Sequence, residues 1–137
     1  MKKGNIFSTI PDSAPEELFE TLLSTDQFKL ERIISSGQQT EPGKWYDQTR
    51  DEWVILLKGS AGLLLEDPLS PEHGGEGWVG IDSYRGEGEV VVLHPGDYIH
   101  IPAHRRHRVE WTSKEEATVW LALHFPSPSP LPWEAVS

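Results

Sequence analysis

The stretch IPAHRRHRVEW, residues 101–111, places two histidines, three arginines and a tryptophan within eleven positions. Two chemistries fit such a stretch. Clustered arginines can hold an anion, whereas paired imidazoles can bind a metal or move protons. Successive side chains of a strand point to opposite faces. As a strand, the segment would set His107, Val109 and Trp111 on one side and Arg106, Arg108 and Glu110 on the other. That alternation implies an inner face of imidazole and apolar groups and an outer face of solvated charge. On this reading alanine at Arg106 or Arg108 changes little. A second stretch, WYDQTRDEW (residues 45–53), brings in carboxylates. There Trp45 and Asp47 would share one face, and Lys44, Tyr46 and Gln48 the other.

Composition limits what these groups can do. With 12 Lys and Arg against 22 Asp and Glu, the formal net charge is −10. Such a surface repels phosphate backbones, so no nucleic-acid partner is expected. There are no cysteines, and any metal must be held by His, Asp, Glu or water. The N-terminal lysines have no apolar stretch behind them, and no apolar run approaches membrane-spanning length. The expectation is a cytoplasmic protein with no membrane partner.

Short strands must position these residues. The 12 glycines and 11 prolines suit many turns. Residues 5–10 read as a short strand or arm. DSAPEELFETLLS (12–24) predicts one short helix, capped by Asp12 or Ser13, with Leu18, Leu22 and Leu23 as its stripe. QFKLERIISS (27–36) alternates Phe28 and Leu30 against Lys29 and Glu31. GKWYDQ (43–48) reads as a strand, and 52–67 as a hairpin turning at Lys58-Gly59-Ser60. Further strands are expected at 89–93, 97–101, 107–111 and 117–125. Residues 67–88 read as a long exposed loop containing strand-like GWVGI, placed where it could act as a lid. The pattern indicates an all-β barrel or sandwich.

Two segments taken together resemble the paired motifs of the cupin superfamily. Gly96, Pro102 and His107, in LHPGDYIHIPAHRRH, fall at the spacing of the second motif. Glu52 and Gly59 fall at the spacing of the first. The resemblance covers roughly residues 37–125 and extends to a subgroup of small, single-domain bacterial cupins. It implies a cupin-type β-barrel (jelly roll) at 37–125. Residues 1–36 would add an arm, the helix and a first strand, and 126–137 an extended proline-rich tail. It also implies a homodimer and an internal metal site. The family's His-x-His positions hold Trp45 and Asp47 here, and a family glycine is replaced by His104. The implied ligands are therefore Asp47, Glu52, His104 and His107, around one divalent Fe, Mn, Ni or Zn ion. Trp45, Tyr98 and Trp111 would shape the pocket for a small-molecule ligand.

Each residue also has a plainer role. Asp47 could cap a turn or pair with Arg50, Glu52 could lie on the surface, His104 could be a solvent-facing turn residue, and His107 could be a core histidine. His100 lies opposite Ile99 and Ile101 and reads as a wall or exposed residue. His73, His94 and His124 read as loop, turn and strand residues. Three functions stay open: a metal-dependent enzyme of oxygenase, isomerase or decarboxylase type, a non-catalytic binding or sensing module, and a metal-free structural barrel.

Overall fold

A computed structural model describes residues 1–66 and 88–127. The expected loop and lid at 67–87, with His73, lie outside these residues, as does the tail from 128 onward. Eight strands run in order: β1 (Leu18–Ser24), β2 (Lys29–Ser35), β3 (Arg50–Lys58), β4 (Ala61–Glu66), β5 (Gly88–Leu93), β6 (Tyr98–Ile101), β7 (His107–Thr112) and β8 (Thr118–Pro126). They form two antiparallel sheets, one ordered β1-β2-β8-β3-β6 and the other β5-β4-β7. The core lies between them. Val54, Leu56, Ile101, Trp120 and Ala122 of the larger sheet meet Ala61, Leu63, Leu65 and Leu93 of the smaller.

The helix expected at 12–24 is not formed, and no helix occurs among the described residues; β1 occupies its second half. A helix this short is marginal unless its stripe is buried. Beside β2 the same residues gain a backbone ladder, with Phe19 opposite Ile33 and Leu18 opposite Ile34. The adjacent Leu22 and Leu23, which suggest a helical stripe, sit at a register shift between Thr21 and Leu23. Of the strand or arm expected at 5–10, no strand forms, and the strand expected at 43–48 is absent apart from a single bridge between Tyr46 and His107.

The turn at Lys58-Gly59-Ser60 is present, but it is no hairpin. It carries the chain from one sheet to the other, since β3 and β4 lie in different sheets. Gly59 makes this corner with φ 88°, in the left-handed region, and a Cβ there would lie 2.7 Å from Thr118 Cα.

Two polar anchors fix the segment that leads into His107. Asp51 is 2% exposed. It accepts hydrogen bonds from Ala103 N at 2.9 Å and Ser127 Oγ at 2.7 Å, and its other oxygen lies 2.6 Å from His100 Nε2. Arg106 Nη1 lies 3.1 Å from Glu66 Oε2, and Glu66 is 1% exposed. Arg108 donates to Thr40 O at 2.9 Å and Lys44 O at 3.3 Å. The arginines thus face away from the barrel interior as expected, yet they are anchors and not a solvated fringe. Arg106→Ala is expected to destabilise the protein by about 2–3 kcal/mol, because it removes a cation from a buried carboxylate. Urea unfolding checks this; a change below about 0.5 kcal/mol would return Arg106 to the ordinary surface.

Candidate functional site

Glu52, Val54 and Leu56 alternate along one face of β3, and Val54 and Leu56 are in the core. The alternation that buries them aims the Glu52 side chain into the barrel. In the larger sheet Glu52 pairs with Ile101 on one side and His124 on the other. His107 opens β7 in the smaller sheet, beside Leu65. Its backbone is bonded in both directions to Tyr46, with Tyr46 N–His107 O at 2.7 Å and His107 N–Tyr46 O at 3.1 Å. Such a pair puts both side chains on one face. The two rings stack with centroids 5.6 Å apart.

These residues line a cavity of about 90 Å³. Its polar lining comprises Glu17, Glu31, Tyr46, Gln48, Glu52, His107 and His124; the apolar wall includes Ile33, Val54, Leu63, Ile101, Val109 and Trp120. His124 Nε2 lies 2.9 Å from Glu31 Oε1, and Ser35 Oγ donates to Glu17 at 2.5 Å. His107 Nδ1 lies 2.9 Å from Arg105 O, which places a hydrogen on Nδ1; in the neutral imidazole Nε2 then presents its lone pair. That nitrogen faces Glu52 Oε1 at 3.5 Å, with His107 5% and Glu52 9% exposed. Among the described residues Glu52 has no other hydrogen-bond or ion-pair partner. Two acceptors therefore face each other across the cavity, and a hydrogen-bearing or positive group between them would satisfy both. Burial pushes the Tyr46 hydroxyl above its ordinary pKa, and the negative charges of Glu17 and Glu52 push it further, so Tyr46 keeps its proton as a donor.

The four expected ligands fall into two separate pairs. Glu52 and His107 meet inside the barrel. Asp47 and His104 meet outside it, with Nδ1–Oδ1 3.1 Å and side chains 50% and 67% exposed. The phase at 45–48 is the reverse of the expected one, because the Tyr46–His107 bridge turns Tyr46 and Gln48 inward and Trp45 and Asp47 outward. His104 has φ 65°, a conformation that favours glycine, and this backbone holds its ring at the surface beside Asp47. Among the described residues, no group of three or more His, Asp or Glu side chains could hold a metal ion. The donor set does not fit the expected four-ligand centre.

None of Trp45, Tyr98 and Trp111 lines the cavity. Trp45 lies under Arg106, whose guanidinium carbon is 5.2 Å from the ring centroid. Tyr98 is on the outer face of β6 against Trp53, centroids 5.4 Å apart. Trp111 follows a register shift in β7 that turns it out of phase with His107 and Val109. It then packs over Gly62, where any Cβ would overlap the indole.

Glu31, Tyr46, Gln48 and His124 are cavity residues that sequence reasoning passed over. The signal for His124 was present, since Trp120, Ala122 and His124 alternate toward the core. For Glu31 the pattern misleads. Leu30 and Phe28 look like the buried face, yet Glu31 is 7% exposed and Ile33 beside it lines the cavity.

Residues 75–124 match the family model described as "Cupin domain". A protein from Ralstonia eutropha JMP134, which carries the provisional name mannose-6-phosphate isomerase, is 42% identical over 93% of this chain and 100% of its own, with a TM-score of 0.76. A cupin superfamily protein from Desulfitobacterium hafniense DCB-2 is 16% identical over 86% of this chain and 84% of its own, with a TM-score of 0.60, and shares the fold. No curated protein matches the sequence.

Proposed function

This chain belongs to the cupin superfamily, and from that premise we propose that its barrel cavity binds a small organic molecule and moves protons on it. The observation that carries the reading is the facing pair of acceptors, His107 Nε2 and Glu52 Oε1, 3.5 Å apart. The reaction is of isomerase type, the type in the provisional name of the relative at 42% identity. The Glu52 carboxylate takes a proton from a carbon next to a carbonyl. The C–H electrons form the enediol, and charge on the carbonyl oxygen is held by the Tyr46 hydroxyl. His107 Nε2 carries the hydroxyl proton from one oxygen to the other. Glu52 then returns its proton to the neighbouring carbon, so atoms and charge balance. The cavity suits a small molecule, and the anionic group of a sugar phosphate would meet the lining glutamates.

The test is proton exchange in D₂O with chelator-treated protein. Short hydroxy-carbonyl compounds of three to six carbons, and their amino-substituted analogues, are followed by proton NMR. Deuterium should enter the carbon next to the carbonyl with the parent protein. No incorporation from any member of the panel would end the proton-transfer reading.

The same 3.5 Å separation supports a second reading, an exchangeable divalent cation held between Glu52 and His107. The Arg105 carbonyl would orient the imidazole for it. The cation would act there as a Lewis acid toward substrate oxygen. Exchange that appears only when Mn(II), Fe(II), Ni(II) or Zn(II) is restored would favour this second reading.

A second copy of the chain is the partner proposed for β1. This edge strand is exposed along its whole length, and Leu18, Phe19, Leu22 and Leu23 are 41–58% exposed. Light scattering should give twice the 15.5 kDa chain mass; a monomer at micromolar concentration contradicts this part.

A further inference from the structure

We propose that the ligand of this cavity is an organic ammonium. The inference rests on the cavity's being the ligand site, as proposed above, and concerns the charge that the site selects. Three carboxylates, Glu17, Glu31 and Glu52, line the space, and no lysine or arginine does so among the described residues. Two of the three are already engaged. Glu17 accepts from Ser35 Oγ at 2.5 Å. Glu31 lies 2.9 Å from His124 and 3.4 Å from the half-exposed Lys29 ammonium. Glu52 is left, 9% exposed, with only the His107 nitrogen before it.

The chemistry of the gap selects the cation. A hydroxyl brings one hydrogen to two acceptors, whereas an ammonium brings three and a positive charge. Charge-assisted bonds to a carboxylate are roughly twice as strong as neutral ones. A carboxylate or phosphate ligand would meet like charges with no lysine or arginine lining the space among the described residues to offset them. Tyr46 and Trp120 line the same space, and aromatic faces attract ammonium groups.

The experiment compares three probes of one size, namely propylammonium, 1-propanol and propionate, by isothermal titration at fixed ionic strength. Propylammonium should bind one to one, about tenfold or more tighter than 1-propanol, in line with one charge-assisted bond gained. Propionate should not bind. Glu52→Gln should reduce the preference for ammonium to less than about threefold while keeping the affinity for 1-propanol, because the loss is of charge and not of shape. Its circular dichroism and urea midpoint report that the fold is kept. Equal affinities of ammonium and alcohol in the parent would overturn this inference and leave the cavity reading standing. Failure of both to bind would overturn the two together. Ammonium binding that survives Glu52→Gln unchanged would assign it to the acidic surface and overturn the inference.

Discussion

Asp51→Ala is expected to destabilise the protein by about 3–4 kcal/mol, the largest loss foreseen for any polar residue of the barrel. The carboxylate is 2% exposed and holds three partners from three places in the chain, namely Ala103, His100 and Ser127. Its removal leaves the Ala103 N–H without an acceptor and frees the turn that leads into His107. The effect should carry a pH signature. Burial alone would raise the Asp51 pKa, but the hydrogen bonds from Ser127, His100 and Ala103 outweigh it and hold the carboxyl below the usual aspartate range. Below its ordinary value of about 3.9 the unfolded chain binds a proton that the folded chain still refuses. Stability from this group is therefore complete above that pH and falls as pH drops through the lowered folded value. Asp51→Asn keeps the shape and removes this titration. Urea unfolding from pH 7 to pH 2.5 should show the parent losing stability more steeply than Asp51→Asn on the acid side. Parallel curves would mean that Asp51 is not the group responsible.

Glu52→Gln should do the opposite to stability and more to function. The amide can donate to His107 Nε2, turning two facing acceptors into a donor and an acceptor. A gain of about 1 kcal/mol is expected from one buried hydrogen bond. Deuterium exchange should fall by about 10²–10⁴, the usual range for a positioned acid–base group. His107→Ala should lose exchange to a similar degree without the gain, because it opens a hole beside Tyr46. A group that weakens the fold while it serves a ligand is the pattern of a functional site. Glu52→Gln with lower stability and intact exchange would make Glu52 a structural residue.

How legible the barrel is in the sequence depends on the kind of signal. LHPGDYIHIP encodes its own geometry. Gly96 has φ 94°, as a tight turn requires, and Ile99 and Ile101 alternate inward while Tyr98 and His100 face out. Alternation likewise places Glu52 on the core face of β3. Alternation fails where the ladder shifts, as at Trp111 beyond the β7 irregularity, and where one backbone bridge decides the phase, as at Tyr46. Neither is written in local residue types. The N-terminal leucines carry helical spacing, yet the ladder pairs Leu18 with Ile34 and Leu23 with Leu30, sixteen and seven residues further on in β2. Spacing could not separate Glu52 and His107 from Asp47 and His104, because all four sit near the same end of the barrel in sequence pattern. Only the three-dimensional pairing divides them into an inner pair and an outer pair.

The claim that a ligand sits between Glu52 and His107 is tested most directly by nitrogen-15 NMR of the His107 imidazole. In the free protein Nδ1 should carry the hydrogen, as the bond to the Arg105 carbonyl requires, and the facing-acceptor arrangement predicts that Nε2 resonates as a bare nitrogen. Addition of propylammonium or 1-propanol should move Nε2 toward the hydrogen-bonded range and saturate one to one, with Nδ1 nearly unchanged. An Nε2 resonance that both probes leave in place, or that carries the hydrogen in the free protein, would contradict the account.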